Sequence, residues 1–277
     1  MKKEIGDRDG EAGCYTNLGT VYGAVGEYEK ASEYFKKALA ISGNIGDRES
    51  IAGSYLNLGA ELYSLGKYSR ANEYNKKAFV IFTDTGNRHG LATFYLNQGA
   101  VELAVGTSNK AKEYYEIALA ISKETGERKT EVDGYLSLGR FFLAQSKYDR
   151  AEEYIKEALN LSEKIGDTEG QLHSLTKIAH IRMKEGKIEE AISYFLSGME
   201  KWEEIRRSLC DNDQFKVSFS DRHIRSHRDL SMLLCDIGNP TEALYVSELS
   251  RARALADLMS AQYSLENKIS INRRTWA

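Results

Sequence analysis

A four-letter phrase returns along this chain at a fixed interval, and that interval limits the possible folds more than any other feature. Ile5–Arg8 reads "IGDR" and Ile45–Arg48 repeats it; Thr85–Arg88 reads "TGNR", Thr125–Arg128 "TGER" and Ile165–Thr168 "IGDT", each forty residues after the last. A period of roughly 20–50 residues marks a solenoid, in which each unit buries its apolar face only against its neighbours. Other columns keep the same step: Tyr15, Tyr55, Tyr95 and Tyr135; Gly19, Gly59, Gly99 and Gly139; Ala31, Ala71, Ala111, Ala151 and Ala191. Tyr34, Tyr74, Tyr114, Tyr154 and Tyr194 form another column, and Ala38, Ala78, Ala118 and Ala158 one more.

The spacing inside one unit is helical. Tyr15, Leu18, Gly19 and Tyr22 stand at i, i+3, i+4 and i+7, which is one face of a helix. Tyr28, Ala31, Phe35, Ala38 and Leu39 make a second such face, and Gly26 lies at the turn between them. Each unit therefore reads as helix, tight turn, helix, with small residues at Gly19 and Ala31 where the two helices approach. In "IGDR", Gly46 is placed to end the second helix in a left-handed cap, and Asp47 to accept the free amides of the next helix. Asn87, Glu127 and Asp167 take that place in later units, glutamate being the poorer cap. An Asp/Arg catalytic pair would use the same residue types, but the capping reading also accounts for their position.

Composition agrees with a long helical array. Of 277 residues, 42% are hydrophobic and 29% charged, and the single proline, Pro240, leaves few forced breaks. The net charge of −3 argues against bulk nucleic-acid or anionic-membrane binding. No apolar run approaches the roughly 20 residues that span a bilayer, and "MKKEIGDRDG" lacks the apolar core of a secretory signal. Cys14, Cys210 and Cys235 are scattered, without metal-type spacing, which fits a reducing, cytoplasmic setting.

The ordered set Tyr15, Leu18, Gly19, Tyr22, Ala31, Phe35 and Ala38 resembles the tetratricopeptide repeat (TPR). The resemblance covers about residues 5–209 and implies an all-α, right-handed superhelix of antiparallel helix pairs. The longer forty-residue unit, with "NLG" and "IGDR" in register, looks like the LGN/Pins group of adaptors. On this reading residues 1–7 end a preceding repeat helix, and five units follow at about 8–47, 48–87, 88–127, 128–167 and 168–209. Residues 210–220 form an insertion, 221–262 a degenerate sixth pair, and 263–277 a tail leading to a missing domain. The stretch from about 200 to 277 resembles the region that joins repeats to a caspase-like CHAT domain in TPR–CHAT proteins. The chain thus reads as a segment of a longer array, or as a short gene descended from one.

Departures from the pattern are specific. Asn75 stands where Phe35 stands one unit earlier, Gln98 replaces a leucine, and Glu102 and Arg182 replace Tyr22. Units two, three and five are therefore expected to pack less tightly, or to let those groups reach solvent. The last helix, from Thr241 to about Gln262, carries more apolar residues than one neighbour can cover, which predicts self-association or fraying.

Catalytic and cofactor chemistry finds little purchase. His223 and His227 have chelating spacing, but no glutamate follows His223 and three arginines crowd the pair. Gly19, Gly23 and Gly26 follow no strand, so a phosphate loop is not indicated. Nothing brings Cys210 and His223 together as a nucleophile pair. No catalytic residue, metal or cofactor is expected.

What remains is the first-helix face opposite the core, which in the resembling family lines a concave, peptide-binding groove. One column of that face reads Asn17, Asn57, Asn97, Ser137, Lys177; the next Thr20, Ala60, Ala100, Arg140, His180; a third ends in Lys184. His173 and Asp133 share the face. Asparagine is a poor mid-helix residue, but its amide can satisfy both the donor and the acceptor of a bound backbone. Inheritance by duplication would also put three asparagines in register. The sequence thus points to a non-enzymatic scaffold that binds an extended partner peptide, with acidic residues or a C-terminal carboxylate meeting the cations. The candidate groove residues are Asn17, Asn57, Asn97, Arg140, Lys177, His180 and Lys184. The rival reading is a regulatory arm of a CHAT-domain protein.

Overall fold

The computed structural model describes residues 2–208 and 226–248, and the side chains of 8 onward among them. Ten helices run in order: α1 (Lys2–Ala24), α2 (Tyr28–Ile45), α3 (Arg48–Ser64), α4 (Tyr68–Thr85), α5 (Arg88–Ala104), α6 (Ser108–Thr125), α7 (Arg128–Ala144), α8 (Tyr148–Ile165), α9 (Thr168–Lys184) and α10 (Ile188–Ser208). Residues 226–236 and 240–248 are also helical, and no strand occurs among the described residues. The fold is all-α, built of successive helix pairs. Two compact bodies divide it, Met1–Ser174 and Leu175–Ala277.

The first body shows what the forty-residue columns do. Each first helix packs on its own second helix, as α1 on α2 and α3 on α4, and each second helix packs on the next first helix. The column alanines Ala31, Ala71, Ala111 and Ala151 are fully buried, as are Ala38, Ala78, Ala118 and Ala158. Opposite them, the first-helix glycines leave room for one large side chain per joint. A Cβ on Gly19 would stand 2.6 Å from the Phe35 ring, one on Gly99 2.5 Å from Tyr115, and one on Gly139 2.5 Å from Ile155. At Gly59 the neighbour is Asn75. Tyr15 and Tyr34, Tyr55 and Tyr74, and Tyr95 and Tyr114 pair beside these joints, their ring centroids 6.1, 5.8 and 5.7 Å apart.

The joints follow the capping logic. Gly46, Gly86, Gly126 and Gly166 all close their helices in the left-handed region, with φ between +70° and +75°. The Asp47 carboxylate accepts from the amides of Glu49 and Ser50 at 3.1 and 3.2 Å, and Asn87 accepts from Gly90 at 2.8 Å, whereas Glu127 makes no capping bond. The arginine of the phrase has a role too. Arg48 reaches Asp84 at 2.8 Å and Arg88 reaches Glu124 at 2.5 Å, tying the start of each first helix to the end of its own second helix. In the next unit Lys164 stands where an acid would be, and Arg128 turns back to Glu131 at 2.8 Å. The first copy of the phrase behaves differently: Ile5–Arg8 lies inside α1, which is continuous from Lys2, so no joint forms there. A mid-helix glycine costs only about 1 kcal/mol.

Three of the polar departures, Asn75, Gln98 and Arg182, are buried, and Glu102 is half-buried. Asn75 is fully buried and Gln98 nearly so. The Gln98 amide donates to Asn72 at 3.0 Å and to Glu102 at 3.1 Å, while Asn75 donates to Gln98 at 3.5 Å. Arg182, in the second body, is buried between Glu185 at 2.8 Å and Glu190 at 2.7 Å. These positions exchange apolar packing for local polar networks. The second body has its own core, where Ala179, Ala191 and Phe195 meet Leu230, Leu233, Leu234, Ala243 and Val246. Of the apolar final helix, Leu244 is 62% exposed, and residues 249–262 lie outside the described residues, as do Cys210 and His223.

Candidate peptide-binding face

The first helices of the first body form a row of their own: α1 touches α3, α3 touches α5 and α5 touches α7. Of the candidate groove residues, Asn17, Asn57, Asn97 and Arg140 lie on these helices. The face they present is open: a Cβ on Gly13 or Gly53 would meet nothing within 4 Å, unlike one on Gly19 or Gly99. These glycines make room on the surface rather than room for packing.

Asn57 and Asn97 are half-buried in this row and Asn17 is exposed. The Asn97 amide donates to the backbone oxygen of Leu56 at 3.3 Å, so one of its hydrogens ties α5 to α3. That bond orients the group and uses one of its two donors. Between α3 and α5 lies a cavity of about 400 Å³ whose walls include Ser50, Gly53, Leu56, Asn57, Phe82 and Thr93. Its floor is apolar, through Leu56 and Phe82, and its walls are polar. At its rim the Asn87 amide donates to Glu49, and His89 stands 3.7 Å from Glu127. A volume of this size lies within the usual range for ligand pockets, about 300–1,000 Å³. The columns of small residues at Gly13, Gly53 and Thr93 were the signal for it in the sequence.

Charge on this face is mixed. Asp133 is exposed on α7, among charged neighbours. Desolvation pushes its carboxyl up to about 6; Asp167 and Glu169 push the same way, while Lys129 and His173 oppose. Arg140 is exposed on the same helix, two turns on. It stands beside the buried Tyr115, whose hydroxyl is raised chiefly by burial, with the guanidinium offsetting part of that shift.

The remaining candidates belong to the second body. Lys177 is half-buried and Lys184 exposed. His180 is engaged in the body's own structure: one ring nitrogen lies 2.7 Å from the Thr176 backbone oxygen, the other 3.1 Å from Asp229, and the ring packs edge-on against Phe195. That ring, expected in the groove, is engaged by Asp229 from a helix 49 residues further on. No group of ligating side chains that could hold a metal occurs among the described residues. No described helix is long and apolar enough to cross a membrane.

Comparison with known proteins fits this architecture. The chain belongs to the family described as the MalT-like TPR region, whose model matches residues 15–214. No curated protein matches it by sequence. Among solved structures, a Rap protein complexed with Competence and Sporulation Factor superposes with a TM-score of 0.64 at 17% identity, over 94% of this chain and 74% of that one. Aspartyl phosphate phosphatase F from Bacillus subtilis gives 0.59 at 16%, over 86% and 69%. BtubC from P. vanneervenii gives 0.59 at 16%, over 85% and 91%. At these identities the likeness is one of fold.

Proposed function

We propose that this member of the MalT-like TPR family is a non-enzymatic interaction scaffold that binds an extended partner peptide along its first-helix face. The observation that carries the reading is the α3–α5 cavity with Asn57 in its wall, together with Asn97 on α5, whose side-chain amide is oriented by one hydrogen bond to the Leu56 carbonyl. An amide so oriented bonds a peptide backbone without reading its sequence. Selectivity then falls to the charges. Arg140 takes an acidic side chain or a terminal carboxylate, and Lys177 and Lys184 are the corresponding cations of the second body. Asp133 disfavours a uniformly acidic ligand. The Rap protein solved with Competence and Sporulation Factor supports the reading by analogy of fold. A cytoplasmic setting, inferred from the three scattered cysteines, belongs to the same proposal.

The resemblance to LGN/Pins adaptors points the same way, since those are scaffolds. The rival reading, a regulatory arm for a CHAT domain, rests on about residues 200–277, of which 209–225 and 249–277 lie outside the described residues. The test is affinity selection of peptides on the purified chain, followed by titration of a selected peptide. Asn57→Ala with Asn97→Ala should weaken all selected sequences alike, and Arg140→Glu should weaken acidic ones at least tenfold, about 1.4 kcal/mol. Affinities unchanged in both variants would overturn the reading.

A further inference from the structure

The second body carries an exposed groove that the peptide-binding face does not use. We propose that this groove, between α10 and the helix at 240–248, docks an amphipathic helix with a basic flank from a partner protein. On α10, Leu196, Met199, Glu203 and Arg207 follow at steps of three and four, so they share one face. Glu242, Tyr245 and Val246 stand across from them, Leu234 lies below, and the space between is about 740 Å³. From Leu196 to Arg207 the stripe is about 16 Å long at 1.5 Å per residue, the length of three helical turns.

The floor continues the core of the body: Leu234 and Val246 are buried and belong to it. The walls do not close over it, since Leu196 is 46% and Tyr245 66% exposed. An apolar floor with open apolar walls is what a helix laid in a groove covers. The rim decides the chemistry of the occupant. Glu203 is 3.6 Å from Arg206 and 3.5 Å from Arg207, so those charges are matched within the body. Glu200 and Glu242 are exposed, line the same groove and enter no ion pair among the described residues. A helix that covered the floor with uncharged or acidic flanks would desolvate those two carboxylates without compensation, which is costly. Lysine or arginine beside the apolar stripe keeps them paired. The groove lies wholly within the second body, so this docking is independent of the peptide-binding reading.

The test uses the full chain and two labelled 18-residue probes, one of leucine and lysine and one of leucine and glutamate, each at helical spacing. Fluorescence anisotropy should show the leucine–lysine helix binding at least tenfold more tightly. Glu200→Lys with Glu242→Lys should erase that preference, and Leu196→Asp with Tyr245→Asp should abolish binding of both; all four sites are on the surface, and circular dichroism verifies folding. Hydrogen exchange should protect 196–207 and 240–248. Equal binding of the two probes, no binding, or protection confined to α3 and α5 would overturn the proposal. So would occupancy by a second copy, seen as a dimer lost in the groove variants. So would occupancy by the chain's own last residues, seen as probe binding only after truncation at Glu248.

Discussion

Two joints of the array solve one problem in opposite ways. Over Gly19 the space between helices is filled by the Phe35 ring; forty residues later, over Gly59, it is filled by Asn75. Both side chains are buried. The ring stabilises by area removed from water. The amide contributes little by area and depends on Gln98, which depends in turn on Asn72 and Glu102. The backbone of the joint is thus tolerant of what fills it, although the amide is only partly satisfied there: its nitrogen donates to Gln98, while its buried oxygen has no hydrogen-bond partner among the described residues. The same site accepts Tyr115 and Ile155 further along.

The largest effect should separate the ring joints from the amide joint. Tyr115→Ala, which empties a fully buried site, should cost about 3–5 kcal/mol in chemical denaturation, and Asn75→Ala about 1–3 kcal/mol. Equal costs would mean the joints are not the units they seem by sequence. Next, Gln98→Leu alone should cost about 1–3 kcal/mol, because it takes the partner from Asn75, whereas Gln98→Leu with Asn75→Leu should recover most of that loss. A double variant as weak as the sum of the two single ones would break the account of the network.

Smaller differences sharpen the comparison at the turns. Asp47→Ala should cost about 1 kcal/mol, and Glu127→Ala close to nothing, since Glu127 makes no capping bond. Ser146 holds φ +56° at a turn where Gly26, Gly66 and Gly106 stand in other units, so Ser146→Gly should stabilise by about 0.5–1 kcal/mol. The last prediction concerns pH. The Asp133 carboxyl titrates near 6 in the fold and near roughly 3.9 when unfolded. Its ionised form is disfavoured in the fold, so its contribution is best below about pH 4 and declines as pH rises through 6. Asp133→Asn should therefore gain stability relative to the parent between pH 4 and 7; a constant difference across that range would remove Asp133 from the account.

Much of this was readable in the sequence, because a period reports on itself. The tyrosine, glycine and alanine columns mark the buried faces, and Gly46 and Asp47 mark the joint, since both act on residues within four positions. What escaped depends on partners far along the chain. Asn75 and Gln98 each look like a defect read singly; only the folded register puts them 3.5 Å apart. His180 stands in a column read from the sequence as groove-lining, yet Asp229, beyond the break in the period, engages it. Ile5–Arg8 has the letters of a joint, yet it lies within the continuous helix α1.

In the first body, the main contacts of each helix are with the next one or two in the chain. Contacts so short in sequence need little loop closure, so folding there should be fast for a chain of this length and able to begin at any unit. The same arrangement confines damage. A weakened joint opens where it is, and the helices on either side keep the neighbours that hold them.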